Sequence, residues 1–123
     1  MLEAFELTGE KAILEAATKA LTYLEQNFIY EKEDLAFLIE PELREVKLGG
    51  SAATLLALTK YMKITGTKTY LPLCRKIANA ILSLQDADGK FTHCSGISIL
   101  RSKRYFPNYL LRRRSCVWPT SLI

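Results

Sequence analysis

Four groups of residues in this chain are of types that do chemistry. The first is an acidic connector between Ile29 and Gly50, which carries Glu31, Glu33, Asp34, Glu40, Glu42 and Glu45. Paired carboxylates cleave glycosidic bonds when one serves as acid and the other as base or nucleophile across the scissile bond. Glu40 and Glu42 are two apart in one loop, a spacing that rarely sets two groups face to face, and a solvated acidic connector is the plainer reading of them. The second group is Asp86, Asp88 and Gly89. It has the opening of a calcium loop, but the glycine follows the first Asp too soon and no Glu closes the loop, so a polar turn after a helix is the better account. The third is His93 beside Cys94. Neighbouring side chains in a strand or loop diverge, and two ligands do not make a tetrahedral site, so neither metal nor cofactor is expected.

The fourth group is the end of the chain. Residues 1 to 94 hold all 13 acidic residues against 11 Lys and Arg, a formal charge of −2. The stretch from Ser95 holds Arg101, Lys103, Arg104, Arg112, Arg113, Arg114 and no acid, so the overall charge of +4 is entirely a property of that end. Basic residues among Tyr105, Phe106, Tyr109 and Trp118 invite a nucleic-acid or membrane-surface reading. That reading ranks low, and another explanation is preferred, in which the tail is translated out of frame. Allowed codons for Arg113 to Ser115, read one base on, spell Gly-Glu-Ala, and the codons that follow, to Pro119, spell Val-Phe-Gly-Leu. On this reading the frame is lost near His93, leaving residues 1–94 as the domain and 95–123 as an accidental basic tail.

The elements that position these groups read as helices. From Ser51 to Thr65 the apolar residues Ala52, Ala53, Leu55, Leu56, Ala57, Leu58, Tyr61, Met62 and Ile64 fall on nearly every face, as in a helix buried on most sides. Ser51 is a candidate N-cap, and Gly66 stands where a left-handed residue would close the helix. The turn is short, so a second helix, about Thr67 to Gln85, must return alongside. Its apolar residues Tyr70, Cys74, Ile77, Ala78, Ile81 and Leu84 recur at spacings of three and four, with Lys68, Arg75, Lys76, Asn79 and Ser83 opposite. That pattern predicts a one-faced outer helix with Cys74 in the core and Pro72 tolerated in the first turn. A further helix, from about Gly9 to Phe28 and capped by Thr8, carries the stripe Ile13, Leu14, Ala17, Ala20, Leu21, Leu24 and Phe28. Met1 to Leu7 reads as a short lead. The alternation from Leu35 to Glu40 allows a short strand or an irregular loop, and Pro41 argues against one continuous helix.

Inner helix, short turn, outer helix, then Gln85, Asp88, Gly89 and Phe91 in the order Q-x-x-D-G-x-F resembles the repeat of the α/α toroids. These are the helical barrels of six-hairpin glycosidases, sugar epimerases and terpenoid cyclases. The resemblance covers about half the chain and includes Gly49 and Gly50 before the inner helix. It implies an all-α fold, an antiparallel helical hairpin plus one further helix, forming an incomplete toroid. It also implies that Gln85 and Phe91 staple the repeat, and that loops leading into inner helices line a cavity, which makes Glu40 and Glu42 the first carboxylates to inspect.

At 123 residues the chain is far too short for six hairpins. The expectation is a truncated protein from a carbohydrate-active or similar small-molecule enzyme family, without activity of its own. The exposed face of its inner helix would then drive self-association into a homo-oligomer. A helical protein-binding module is the alternative, and nucleic-acid binding through the tail ranks behind both. No apolar run reaches the roughly 18 residues of a membrane span. Three cysteines without a secretion signal point to free thiols and a cytoplasmic setting.

Overall fold

The computed structural model describes residues 1–42, 45–91 and 94–96, the last three by backbone alone. His93, the side chain of Cys94 and the basic tail from residue 97 onward lie outside the described residues. The elements in chain order are α1 (Leu2–Thr8), α2 (Lys11–Phe28), β1 (Ile29–Lys32), β2 (Leu35–Glu40), β3 (Glu45–Lys47), α3 (Leu48–Thr65), α4 (Leu71–Ser83) and β4 (Cys94–Gly96).

The strands form one antiparallel sheet in the order β1-β2-β3-β4. The all-α expectation is therefore corrected: the molecule is a mixture of helices and antiparallel sheet, and neither the three-helix layout nor the incomplete α/α toroid describes it. The acidic connector is the source of the difference. Its apolar run, residues 35–39, becomes a strand buried on both faces, and β1 and β2 pair from Ile29↔Leu38 to Lys32↔Leu35 across the two-residue turn Glu33-Asp34. Glu33 takes the left-handed conformation at φ 56° that this turn requires, without the glycine that would mark it in a sequence. Pro41 sits in the turn after β2, where it removes no ladder hydrogen bond.

The helices follow the expected boundaries more closely. Gly66, at φ 71°, ends α3 and donates its N–H to the Met62 carbonyl. Pro72 lies in the first turn of α4, where its missing N–H costs nothing. The segment read as a lead is instead the helix α1, which ends at Gly9 with φ 68° and contributes no buried residue. It is tied to α3 by an ion pair between Glu6 and Lys60 at 2.5 Å. Thr8 does not cap α2, whose N-cap is Glu10 with no side-chain cap bond.

The core has two parts that meet at β2. Leu21, Ala36, Leu58, Leu73, Cys74 and Ile77 form one, drawn from α2, β2, α3 and α4. Phe37, Val46, Ala80 and Leu84 form the other, between the sheet and the second half of α4. Ala36 and Phe37 are successive residues of a strand and so point to opposite sides, which is how one strand serves both parts. The polar side of α4 is only partly a water-facing back. Lys76 pairs with Glu31 of β1 at 2.6 Å, and Asn79 donates to the Asp34 carbonyl at 3.4 Å, so this side also anchors the β1–β2 hairpin.

Candidate functional site

Glu40 ends β2 and stands directly opposite Glu45 of β3, so the two carboxylates come from paired strands and share a face of the sheet. Like charges in that position repel. Lys47, two residues beyond Glu45 and therefore on the same face, answers both: its Nζ lies 2.9 Å from Glu45 Oε2 and 3.5 Å from Glu40 Oε2. The hydrogen bond to Glu45 is the main reason the Lys47 ammonium titrates above its ordinary 10.5; loss of hydration opposes it, and the charges of Glu45 and Glu40 add smaller upward contributions. One cation thus answers two carboxylates, which leaves the group with a net negative charge. Glu42 is exposed in the turn after β2 and is not drawn into this group. The sequence pairing of Glu40 with Glu42 is replaced by Glu40 with Glu45, a partnership visible only once the strand register is known.

The glycines of the supposed repeat behave differently from one another. Both belong to the first turn of α3. A side chain at Gly49 would meet open space, whereas a Cβ at Gly50 would fall on Leu38 Cδ2 of β2. Gly50 therefore lets the helix lie close against the central strand. Ser51 follows it as an interior helical residue rather than as the N-cap. It is fully buried, and its Oγ accepts the Leu38 N–H at 2.9 Å. Thr54 Oγ1, also buried, donates to the Gly50 carbonyl at 2.8 Å. Ser51 thus couples the helix to the sheet, while Thr54 bonds within the helix.

Gln85, Asp88, Gly89 and Phe91 build a tight turn. Gly89 N–H reaches the Asp86 carbonyl at 2.9 Å, Asp86 N–H reaches the Lys90 carbonyl at 2.7 Å, and Gly89 adopts φ 87°. Gln85 Nε2 donates across the turn to the Gly89 carbonyl at 3.1 Å, and the backbones of Gln85 and Phe91 form an antiparallel bridge. The Asp88 carboxyl is held below its usual range, first by the Lys90 side chain and then by the Lys90 N–H. Both oxygens have partners within the turn, Oδ1 accepting the Lys90 N–H at 3.3 Å and Oδ2 pairing with Lys90 Nζ at 2.8 Å. Among the described residues no group of three or more His, Cys, Asp and Glu could hold a metal ion.

A polar seam that the sequence did not suggest joins α2 to the helical hairpin. Thr18 Oγ1 donates to the Leu14 carbonyl and lies 3.2 Å from Tyr61 Oη, and the Tyr61 and Tyr70 rings meet edge to face at 5.8 Å. Loss of hydration, reinforced by the charge of Glu25, pushes the Tyr70 phenol upward. Cys74 is buried within the same core, and burial pushes its thiol up, away from the thiolate that nucleophilic chemistry needs.

The remaining feature is the outer side of α3. Leu56 is 71 % exposed. Gly49, Ala52 and Ala53 are exposed on the same stripe, and Lys60 and Lys63 continue it toward the C-terminal end. The helix read as buried on most sides fully buries only Ser51, Thr54 and Leu58. No helix among the described residues is long and apolar enough to cross a membrane. No family model, curated protein or solved structure matches the chain.

Proposed function

We propose that this chain has no catalytic activity of its own and acts as a self-associating module whose copies join through the outer side of α3. Leu56 carries the reading. It is a large apolar side chain left in water at the middle of a helix, flanked on one stripe by Gly49, Ala52 and Ala53, which would let a partner approach closely. Covering such a surface recovers about 25 cal/mol for each Å² of apolar area removed from water. The other strongly exposed apolar residues of helices, such as Leu7, Tyr23 and Leu82, are spread over α1, α2 and α4. Scattered exposure of that kind is ordinary.

The absence of catalysis is supported by the state of the candidate carboxylates. Glu40 and Glu45 are both committed to Lys47, and Glu42 stands apart in its turn. Sedimentation velocity across a concentration series tests the self-association. The wild-type chain is expected to shift from monomer to a larger species, and Leu56→Lys to remain monomeric while keeping its circular dichroism spectrum. A wild-type chain that is monomeric throughout the series would end the proposal.

A further inference from the structure

We infer that the partner on α3 is a second copy of this chain, seated antiparallel, with α3 crossing α3 about a two-fold axis at Leu56. This rests on the self-association reading above and adds its geometry. A two-fold interface brings the same patch from each copy together, so every residue must suit the one that symmetry places opposite it. Leu56 is the ninth of the 18 residues of α3, close to the middle of the helix. An antiparallel crossing there sets Leu56 on its own copy, Ala52 and Ala53 against Thr59 and Lys60, and Gly49 against Lys63. Small residues on one half of the stripe thus receive the long ones of the other half.

Charge selects this orientation. Among the described residues leading into α3, Glu40, Glu42 and Glu45 stand against one Lys47, and with Arg44 of the same stretch the formal excess is one negative charge. At the C-terminal end lie Lys60, Lys63 and Lys68 against one Glu6, a basic excess. Glu42 and Lys63 are exposed, and neither is in an ion pair among the described residues. Antiparallel copies bring the acidic end of each to the basic end of the other twice over, and the helix dipoles oppose favourably. Parallel copies would set Lys63 on Lys63 and Glu42 on Glu42. Complementary rims of this kind choose orientation more than they add affinity.

The test uses the full chain with substitutions at the rim. Lys63→Glu and Glu42→Lys are each expected to weaken dimerisation about tenfold, through two symmetric contacts of ordinary surface strength. The double variant, which exchanges the signs, is expected to recover most of the loss. Leu56→Cys, in a background where Cys94 and Cys116 are Ser, is expected to give a disulfide-linked dimer on mild oxidation. A wild-type dimer that is indifferent to all three charge variants, with no cross-link through Leu56→Cys, overturns this geometry and leaves self-association standing. A wild-type monomer overturns both.

Discussion

Two adjacent glycines at the start of α3 do opposite jobs, and substitution should separate them. Gly49 is helical, exposed and surrounded by open space, so Gly49→Ala removes backbone entropy from the unfolded chain at no steric cost. A gain of about 0.5–1 kcal/mol is expected. Gly50→Ala has the same propensity gain but drives a methyl group onto Leu38, and overpacking of this sort costs roughly 1–3 kcal/mol, so the net effect should be a loss. Urea denaturation of the two variants checks the signs, and two losses or two gains would contradict the packing described. Lys47 gives a pH-dependent test. Its ammonium titrates higher in the folded state than the ordinary 10.5, so its contribution is fully present below pH 10.5 and fades as pH rises through the folded value. The melting temperature of the wild type should therefore fall more steeply than that of Lys47→Met above that pH.

At the scale of elements, the contact between α3 and β2 turns on one hydroxyl. Ser51→Ala leaves the Leu38 N–H without its acceptor in a buried place, at an expected cost of about 1–3 kcal/mol. Ser51→Thr would keep the acceptor but must fit an extra methyl group. The helical hairpin was legible in the sequence because its signals are local: the alternation of three and four along α4, Pro72 in its first turn, and Gly66 at the end of α3. The sheet was not. Its first turn is Glu33-Asp34, and nothing in that pair announces a left-handed residue, while Leu35 to Ile39 can be read equally as buried strand or loop. The Glu40–Lys47–Glu45 group was hidden for the same reason, since register and not spacing brings Glu45 opposite Glu40. As for α3, periodicity shows that a helix is apolar all round, but it cannot show whether this chain supplies the cover for every side.

At the scale of the molecule, β2 makes the two parts of the core one cooperative unit. Ala36 and Phe37 cannot leave their neighbours separately, because the strand that carries one carries the other. Loss of circular dichroism in urea and labelling of the buried Cys74 thiol should follow the same transition, measured in a chain whose Cys94 and Cys116 are Ser. A labelling curve that runs ahead of the spectroscopic one would mean that the helical part opens alone. The sheet also has an order of assembly written into it. β1, β2 and β3 are consecutive in the chain, but β3 receives its second neighbour, β4, only after the whole of α3 and α4 has been made. During synthesis, then, the far edge of β3 stands open while the helical hairpin emerges from the ribosome. That edge is three residues long, too short to template much mispairing during the wait.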